Sequence, residues 1–475
     1  MKIVTFNLRM DTPDDGPHRF LYRREAIVAR IRREKPDILG FQEALPAMYD
    51  YLRENLPEYT FVGHGRSEQY EGEANPIAFR RDRFALKSYA TRWLSPTPED
   101  PGSRFPEDQS ICPRIFVTAQ LYDRQTGSVF RVVNTHLDHE GPIARRRGLE
   151  LIARAVPDDL PTVLMGDFNC PPTDEALEPL KGRFRDMSEG LGHTFHCFEG
   201  WYTWKTDKID YIFATAEFQK SACGLWKNED TVLSDHYPVC LAGGLVQTVD
   251  CVWEHRGEDT ILWAVDHPGA FARGASLAEA MKKLPQDLAE WAQWTGCAVP
   301  EFCDIRIIAE RVSTLDVRDA DSDVLMDKEK TPLTWGEYER LRDMALESAG
   351  RFLALYESVP DPDSSENPVR QTFYGAVPRT AREMYEHTKN VNAYYFGEIG
   401  VEADNEGDIR TCRRRGFEAL EKQPDFLKNP TFAGSWDEDW TLRKLLRRFI
   451  WHDRLHARAM ERMKKRTFFQ NDVVS

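Results

Sequence analysis

The sequence predicts a multidomain protein: an α/β four-layer sandwich of two packed sheets with outer helices, then a small α/β unit, then an antiparallel four-helix bundle. Three observations carry this expectation. From residue 1 to about 243, strand-like apolar runs alternate with amphipathic helical stretches. Several of those runs are apolar at nearly every position, as suits strands covered on both faces. From about 331 the pattern changes to four long helical periods joined by loops. A chain of 475 residues is also too long for one ordinary domain.

Taken in order, Lys2–Leu8 reads as a strand, followed by a helix near Leu21–Arg33 that places Ile27, Val28 and Ile31 on one face and ends before Pro36. Further strands are expected at Asp37–Gln42, Pro76–Phe79, Phe116–Leu121, Val129–Thr135, Thr162–Met165, Ile209–Phe213 and Tyr237–Leu241, with helices at Pro142–Ala155 and Thr173–Leu180. The Gly243-Gly244 pair marks a boundary that closes a first domain at 1–243. A second unit, 247–315, holds strand-like runs, the turn Asp266-His267-Pro268-Gly269 and a helix Ser276–Trp294 whose Ser276 and Glu279 form a capping box. Asp316–Lys330 is charged and poor in apolar residues, hence a linker. The third domain, 331–475, carries helices at Trp335–Ser358, Thr380–Gly400, Ile409–Lys422 and Trp440–Lys465.

Composition narrows the function classes. The chain is 41% hydrophobic with no apolar run of membrane-spanning length, and no secretory segment precedes the first strand. Nine scattered cysteines without a CxxC pair favour a reducing, cytoplasmic setting. The net charge of −15 is shared by both halves, which weighs against an enzyme that tracks duplex nucleic acid. Arg145-Arg146-Arg147 is the one basic run noted, and it reads as a solvated helix face.

Against that background, short polar islands recur at strand ends. Thr5-Phe6-Asn7 ends the first strand, Phe41-Gln42-Glu43 another and Asn134-Thr135-His136 a third. Gly166-Asp167-Phe168-Asn169 follows an apolar run, Asp210 opens a strand and Ser234-Asp235-His236 precedes the last. Side chains two residues apart on a strand point the same way, so Asp167 and Asn169 face one region. Hydrolysis of a phosphate ester requires a cation, an oriented water and groups that hold the phosphoryl oxygens. The islands supply all three. Glu43 is a hard carboxylate suited to Mg²⁺ or Mn²⁺. Asp167 is a candidate base, Asn7 and Asn169 offer amides, Asp210 can orient a histidine, and His136 and His236 can hold phosphoryl oxygens or move protons.

These motifs, in this order and spacing, resemble the endonuclease/exonuclease/phosphatase superfamily. The resemblance implies that Glu43 is the main metal ligand, with Asn7 and Asp235 near the metal. It implies that Asp167, assisted by Asn169, positions or deprotonates the attacking water. His236, paired with Asp210, then binds or protonates the phosphoryl group, and His136 contacts it from the other side. Arg9 stands where some nucleases of the family have a carboxylate, so a single cation is expected. Gly72-Glu73-Ala74-Asn75-Pro76 and Cys112-Pro113-Arg114 resemble small bacterial stand-alone members, which makes Asn7, Asn75 and Arg114 substrate-binding candidates; a structural salt bridge is the other reading of Arg114. The substrate expected is a phosphorylated small molecule or nucleotide, with nucleic acid still open.

The run from Asp266 to Ala280 resembles the HicB-like antitoxin fold, with a docking or oligomerising role and no catalysis. In the last helix His452 and His456 lie four apart and so share one face. With His387 on an earlier helix, they resemble the three-histidine site of DinB/YfiT-like bundles, which implies Zn²⁺, Ni²⁺ or Fe²⁺ there. An alternative follows, in which the bundle is a metal- or thiol-dependent transferase and the N-terminal domain is accessory.

Overall fold

The computed structural model describes residues 1–200, 207–229, 231–372 and 375–468. They form two compact units, Met1–Gln247 with Pro300–Phe302, and Thr248–Val299 with Cys303 onward. No described helix is long and apolar enough to cross a membrane.

The first unit contains two sheets. Its strands are β1 (Lys2–Asn7), β2 (Ile38–Gln42), β3 (Tyr59–Val62), β4 (Ile77–Arg80), β5 (Phe84–Trp93), β6 (Ile115–Asp123), β7 (Val129–His136), β8 (Thr162–Asp167), β9 (Arg185–Asp186), β10 (Asp210–Ala214), β11 (Phe218–Leu225) and the first half of β12 (Val239–Arg256). One sheet runs β11-β12-β1-β2-β4-β3 and the other β5-β6-β7-β8-β10-β9. Period-two alternation builds the layers. Ile3 and Ile38 enter a core with Val132, Val163 and Met165 of the other sheet. Their neighbours Val4 and Leu39 pack against Ile27, Val28 and Ile31 of α1 (Phe20–Glu34) and Met48 and Leu52 of α2 (Pro46–Asn55). On the second sheet, Val133 and Leu164 meet Leu149 and Ile152 of α3 (Pro142–Ala155). Helix, sheet, sheet, helix is the expected four-layer order.

Each sheet has a parallel pair at its centre. β1 and β2 place Asn7 beside Gln42, while β7 and β8 place His136 beside Asp167. β10 runs antiparallel to β8 and sets Asp210 opposite Asp167. These registers bring the polar islands to a common edge.

Several local expectations need correction. Thr173–Leu180 is a 3₁₀ turn at Glu175–Leu180, because Pro179 removes a helical donor. Gly243 and Gly244 lie inside β12, where bareness permits close packing: a Cβ would fall 2.4 Å from the Gln219 carbonyl oxygen and 2.6 Å from a Glu301 oxygen. β3, β5 and β11 escaped the pattern; β5 exposes its middle and carries a bulge, so its alternation is weak. Arg145 is buried and donates to the Asp138 carbonyl, unlike the solvated face expected for its run.

In the second unit the remainder of β12 pairs with β13 (Asp259–Ala264), β13 with β14 (Phe271–Gly274), and β15 (Phe302–Val312) with β12. The helix α4 (Leu277–Thr295) packs on this sheet, with Ser276 Oγ accepting from the Glu279 amide. Glu279 itself accepts from the amide of Ala275, one residue before the cap, so the box is displaced. The four helices expected beyond 331 are all present: α5 (Trp335–Glu357), α6 (Ala381–Glu398), α7 (Ile409–Leu420) and α8 (Leu442–Phe468). Thr334 with Glu337 and Thr380 with Glu383 cap the first two of these reciprocally. Leu262 and Ala272 of the sheet, Leu284 and Trp291 of α4, and Tyr338, Phe396 and Phe449 of the later helices share one core. Asp316–Lys330 is no free linker: Val317, Ala320, Val324 and Met326 are buried with Trp263, Phe271 and Trp451, and Glu329 is paired with Arg447.

Candidate active site

At the common edge of the two sheets of the first unit, Asn7 at the end of β1 donates its amide to Glu43 Oε1 and Asp167 Oδ2, both at 2.9 Å. It thereby bridges the two sheets and separates two like charges. Glu43 has a left-handed backbone (φ 59°), an uncommon conformation for a side-chain-bearing residue and a strain tolerated at functional sites. The Met10 amide donates to its second oxygen at 2.9 Å. Burial pushes the Glu43 carboxyl up, but the Met10 amide, the Asn7 amide and the Arg9 charge outweigh that and hold it below its ordinary value.

Asp167 ends β8 and is 1% exposed. Its Oδ1 accepts from the amide of Asn169, another left-handed residue (φ 49°). Burial and the neighbouring Asp210 carboxylate push Asp167 up to about 7. Gly166 explains how β8 approaches β7 so closely, since a Cβ there would fall 1.9 Å from the Thr135 carbonyl oxygen. The Asn169 amide lies 3.0 Å from His136 Nε2 and donates to the Leu137 carbonyl.

The two histidines are buried in opposite electrostatic settings. His236 Nδ1 lies 2.8 Å from Asp210 Oδ2. Burial alone disfavours its charge, but Asp210, Asp235 and Asp167 together hold it well above the ordinary imidazole value. His136 goes the other way, well below that value, through burial and the nearby Arg114 and Arg66 charges. One imidazole is thus protonated and one neutral across the neutral pH range. Asp235, buried and raised by that burial, accepts from Ser234 Oγ at 3.1 Å and lies 3.9 Å from Arg9 Nε. Arg9 forms a forked pair with Asp15.

The fold therefore gathers Asn7, Glu43, His136, Asp167, Asn169, Asp210, Asp235 and His236. It treats the other two candidates differently. Asn75 is buried and its amide nitrogen donates to the Ile115 carbonyl. Arg114 is 4% exposed, contacts His139 Nδ1 at 2.8 Å and Asp138 at 3.5 Å, and keeps one buried guanidinium nitrogen without a partner. Both motif-borne features, a salt bridge and a free donor, coexist on that side chain. Gln42 and Asn134 stand in the strand-end motifs, and the sequence assigns neither of them a role. Fully buried, Gln42 donates to Asn134 Oδ1 at 2.7 Å and Asn134 to the Phe41 carbonyl at 2.8 Å, tying the sheets together beneath the site. Uncharged amides flanked by strand residues were the available signal.

As for cation binding, one oxygen of Glu43, one of Asp167 and one nitrogen of His136 lie within 4.8 Å of one another, as do single atoms of Asp167, Asp210 and His236. Asp210 Oδ1 is buried and has no partner. A site rich in carboxylate oxygens fits a hard divalent ion. In the second unit, His387, His452 and His456 also bring one ring nitrogen each within 4.8 Å of the others.

Residues 4–236 match the model of the endonuclease/exonuclease/phosphatase family. A family structure from Bacteroides vulgatus is 32% identical, covering 51% of this chain and 98% of that one, with a TM-score of 0.49. The mannosyl-6-phosphatase of Bacteroides thetaiotaomicron is 27% identical over 51% of this chain and 99% of its own, with a TM-score of 0.48. An uncharacterized protein of Acanthamoeba polyphaga mimivirus is 26% identical over 44% of this chain and 77% of the viral one. The N-terminal half of the chain is an endonuclease/exonuclease/phosphatase family domain, and such domains are metal-dependent hydrolases of phosphate esters.

Proposed function

We propose that residues 1–243 hydrolyse a phosphate monoester or diester by in-line attack of water on phosphorus, with Glu43 as the principal ligand of one Mg²⁺ or Mn²⁺ and Asn7 and Asp235 beside it. The observation that carries this reading is the buried constellation in which one carboxylate is kept ionised, another is raised to about 7 and two histidines are held in opposite protonation states. Such a division of acid and base is what a water-activating phosphoesterase needs at neutral pH. When bound, the cation neutralises charge building on the phosphoryl oxygens.

The chain's own groups do the rest. Asp167 accepts a proton from the attacking water, and Asn169, anchored to the Asp167 carboxylate and the Leu137 carbonyl, fixes the direction of attack. Protonated His236 donates to a phosphoryl or leaving-group oxygen, with Asp210 holding its ring and charge. Neutral His136 contacts the phosphoryl group from the other side. The free guanidinium nitrogen of Arg114 supports its reading as a phosphate contact. Arg9 places a fixed positive charge toward Glu43 and Asp235, which supports one cation in place of two. The acidic balance of the chain favours a small phosphorylated metabolite or short nucleotide over duplex DNA.

The test is hydrolysis of aryl phosphate monoesters and diesters with Mg²⁺ by Asp167→Asn and Glu43→Ala variants whose folding is checked by circular dichroism. Loss of turnover with retained folding is expected; undiminished turnover in either variant overturns the reading. A panel of phosphomonoesters, linear and cyclic dinucleotides, RNA, DNA and phospholipids then identifies the substrate.

A second reading concerns the other unit. The convergence of His387, His452 and His456, the last two pushed below the ordinary imidazole value mainly by burial while His387 reaches the surface, supports a transition-metal site there. Metal analysis of the purified chain beside a His452→Ala, His456→Ala variant tests it; equal metal content in both excludes it.

A further inference from the structure

We propose that the second unit carries a separate binding site for the phosphate monoester of a hydroxyl-bearing small molecule, in a cavity of about 510 Å³ between β13, β14, α4 and α8. The size suits one ligand of mononucleotide dimensions, within the range of small-molecule sites.

The charges around this cavity do not balance locally. Asp287 is engaged by Arg454 and Arg458, Glu290 by Arg458, and Glu279 by Lys283. Arg273, Arg318 and Arg462 also line the cavity, and among the described residues none of the three has a carboxylate within ion-pairing distance. The Arg273 guanidinium donates to the Arg318 backbone carbonyl, at 3.0 Å. Set against Asp259, the lining carboxylate without a cationic partner among the described residues, these three guanidiniums leave an excess of two positive charges, which matches the two charges of a phosphate monoester, a group that takes forked hydrogen bonds from guanidiniums. Burial and the approach of Arg462 and Arg458, against the opposing charge of Asp319, press Arg273 below its usual value; partial burial with Arg458 and Arg466 nearby lowers Arg462, whose surface is otherwise exposed. An anion between them relieves that repulsion, so the pair is predisposed to bind one.

The remainder of the lining suits an organic ligand more than a bare ion. Phe271 and Leu455 offer apolar surface, and the Arg458 guanidinium lies over the Phe271 ring at 5.6 Å. Asp259 lines the cavity as a carboxylate with no cationic partner among the described residues, an acceptor for ligand hydroxyls. A simple anion needs neither feature. The site belongs wholly to the second unit and owes nothing to Glu43 or Asp167, so it stands or falls independently of the phosphoesterase reading.

The experiment is calorimetric titration of the full chain, carrying Glu43→Ala and in EDTA, with adenosine monophosphate and separately with inorganic phosphate. One molecule of adenosine monophosphate per chain is expected to bind at least about tenfold tighter than phosphate. Arg273→Gln and Arg462→Gln should each weaken it about tenfold or more, and Arg462→Lys, which keeps the charge but loses the fork, should weaken it less than Arg462→Gln. A thermal melt of each variant separates lost binding from lost folding. No binding up to about 10 mM, binding insensitive to both arginine substitutions, or equal affinity for phosphate and adenosine monophosphate overturns the proposal.

Discussion

Replacing Asp210 by Asn should move the whole pH–rate profile to lower pH, and the reason lies in two neighbours. Asp210 accepts from His236 at 2.8 Å, with both groups buried, and is the largest single influence holding that imidazole protonated against its burial. A hydrogen bond to a charged group contributes about 1.5–3 kcal/mol, which is roughly one to two pK units. Loss of the carboxylate lowers His236 by that amount, so the alkaline limb, where the proton is lost, falls by about one to two pH units. The same carboxylate, after burial, is what raises Asp167 to about 7. Its removal lets Asp167 ionise at lower pH, and the acid limb falls too. Above its shifted alkaline limb the variant should fall up to about ten- to hundredfold below the parent in kcat/KM, with a smaller loss on the acid side. The assay is kcat/KM for an aryl phosphate between about pH 5 and 10 at saturating Mg²⁺, with a melting curve to confirm folding. An unshifted profile, or equal loss at every pH, refutes the acid–base assignment.

Three further outcomes are expected. Chelation by EDTA should abolish hydrolysis and Mg²⁺ or Mn²⁺ restore it, while Glu43→Gln should lower turnover at least about hundredfold and raise the metal concentration for half-activity, read in a metal titration. Gly166→Ala should destabilise the first unit by about 3 kcal/mol or more, because the added methyl meets the Thr135 carbonyl, and denaturant titration measures it. In the second unit Arg413 and Asp453 form a fully buried forked pair; Arg413→Met alone should cost about 3–5 kcal/mol, and Arg413→Met with Asp453→Leu should recover much of that, judged by a double-mutant comparison.

The legible features were those written in local periodicity. The apolar strand runs, the amphipathic spacing of Ile27, Val28 and Ile31, and the caps at Thr334 and Thr380 all depend on residues within a few positions of one another. The four long helices after 331 announced themselves for the same reason. The exposed edge strand β5 and the burial of Asp316–Lys330 did not, because distant packing partners decide them. Gly243 and Gly244 read as a break because glycine usually marks one. In the fold they sit in a strand where two segments remote in sequence crowd the backbone.

By itself the sequence determined which residues carry the chemistry: a carboxylate, an amide or an imidazole at each of several strand ends. Period-two alternation and the order of the motifs suffice for that. Only the tertiary structure decided what each group is there. Parallel registers set Asn7 beside Gln42 and His136 beside Asp167, and burial together with neighbouring charges made His236 acidic, His136 neutral and Asp167 poised near 7. It also left Arg273 and Arg462 facing a cavity without carboxylates of their own. A residue's identity fixes which proton it can hold; desolvation and the charges brought within a few ångströms by folding fix the pH at which it holds it.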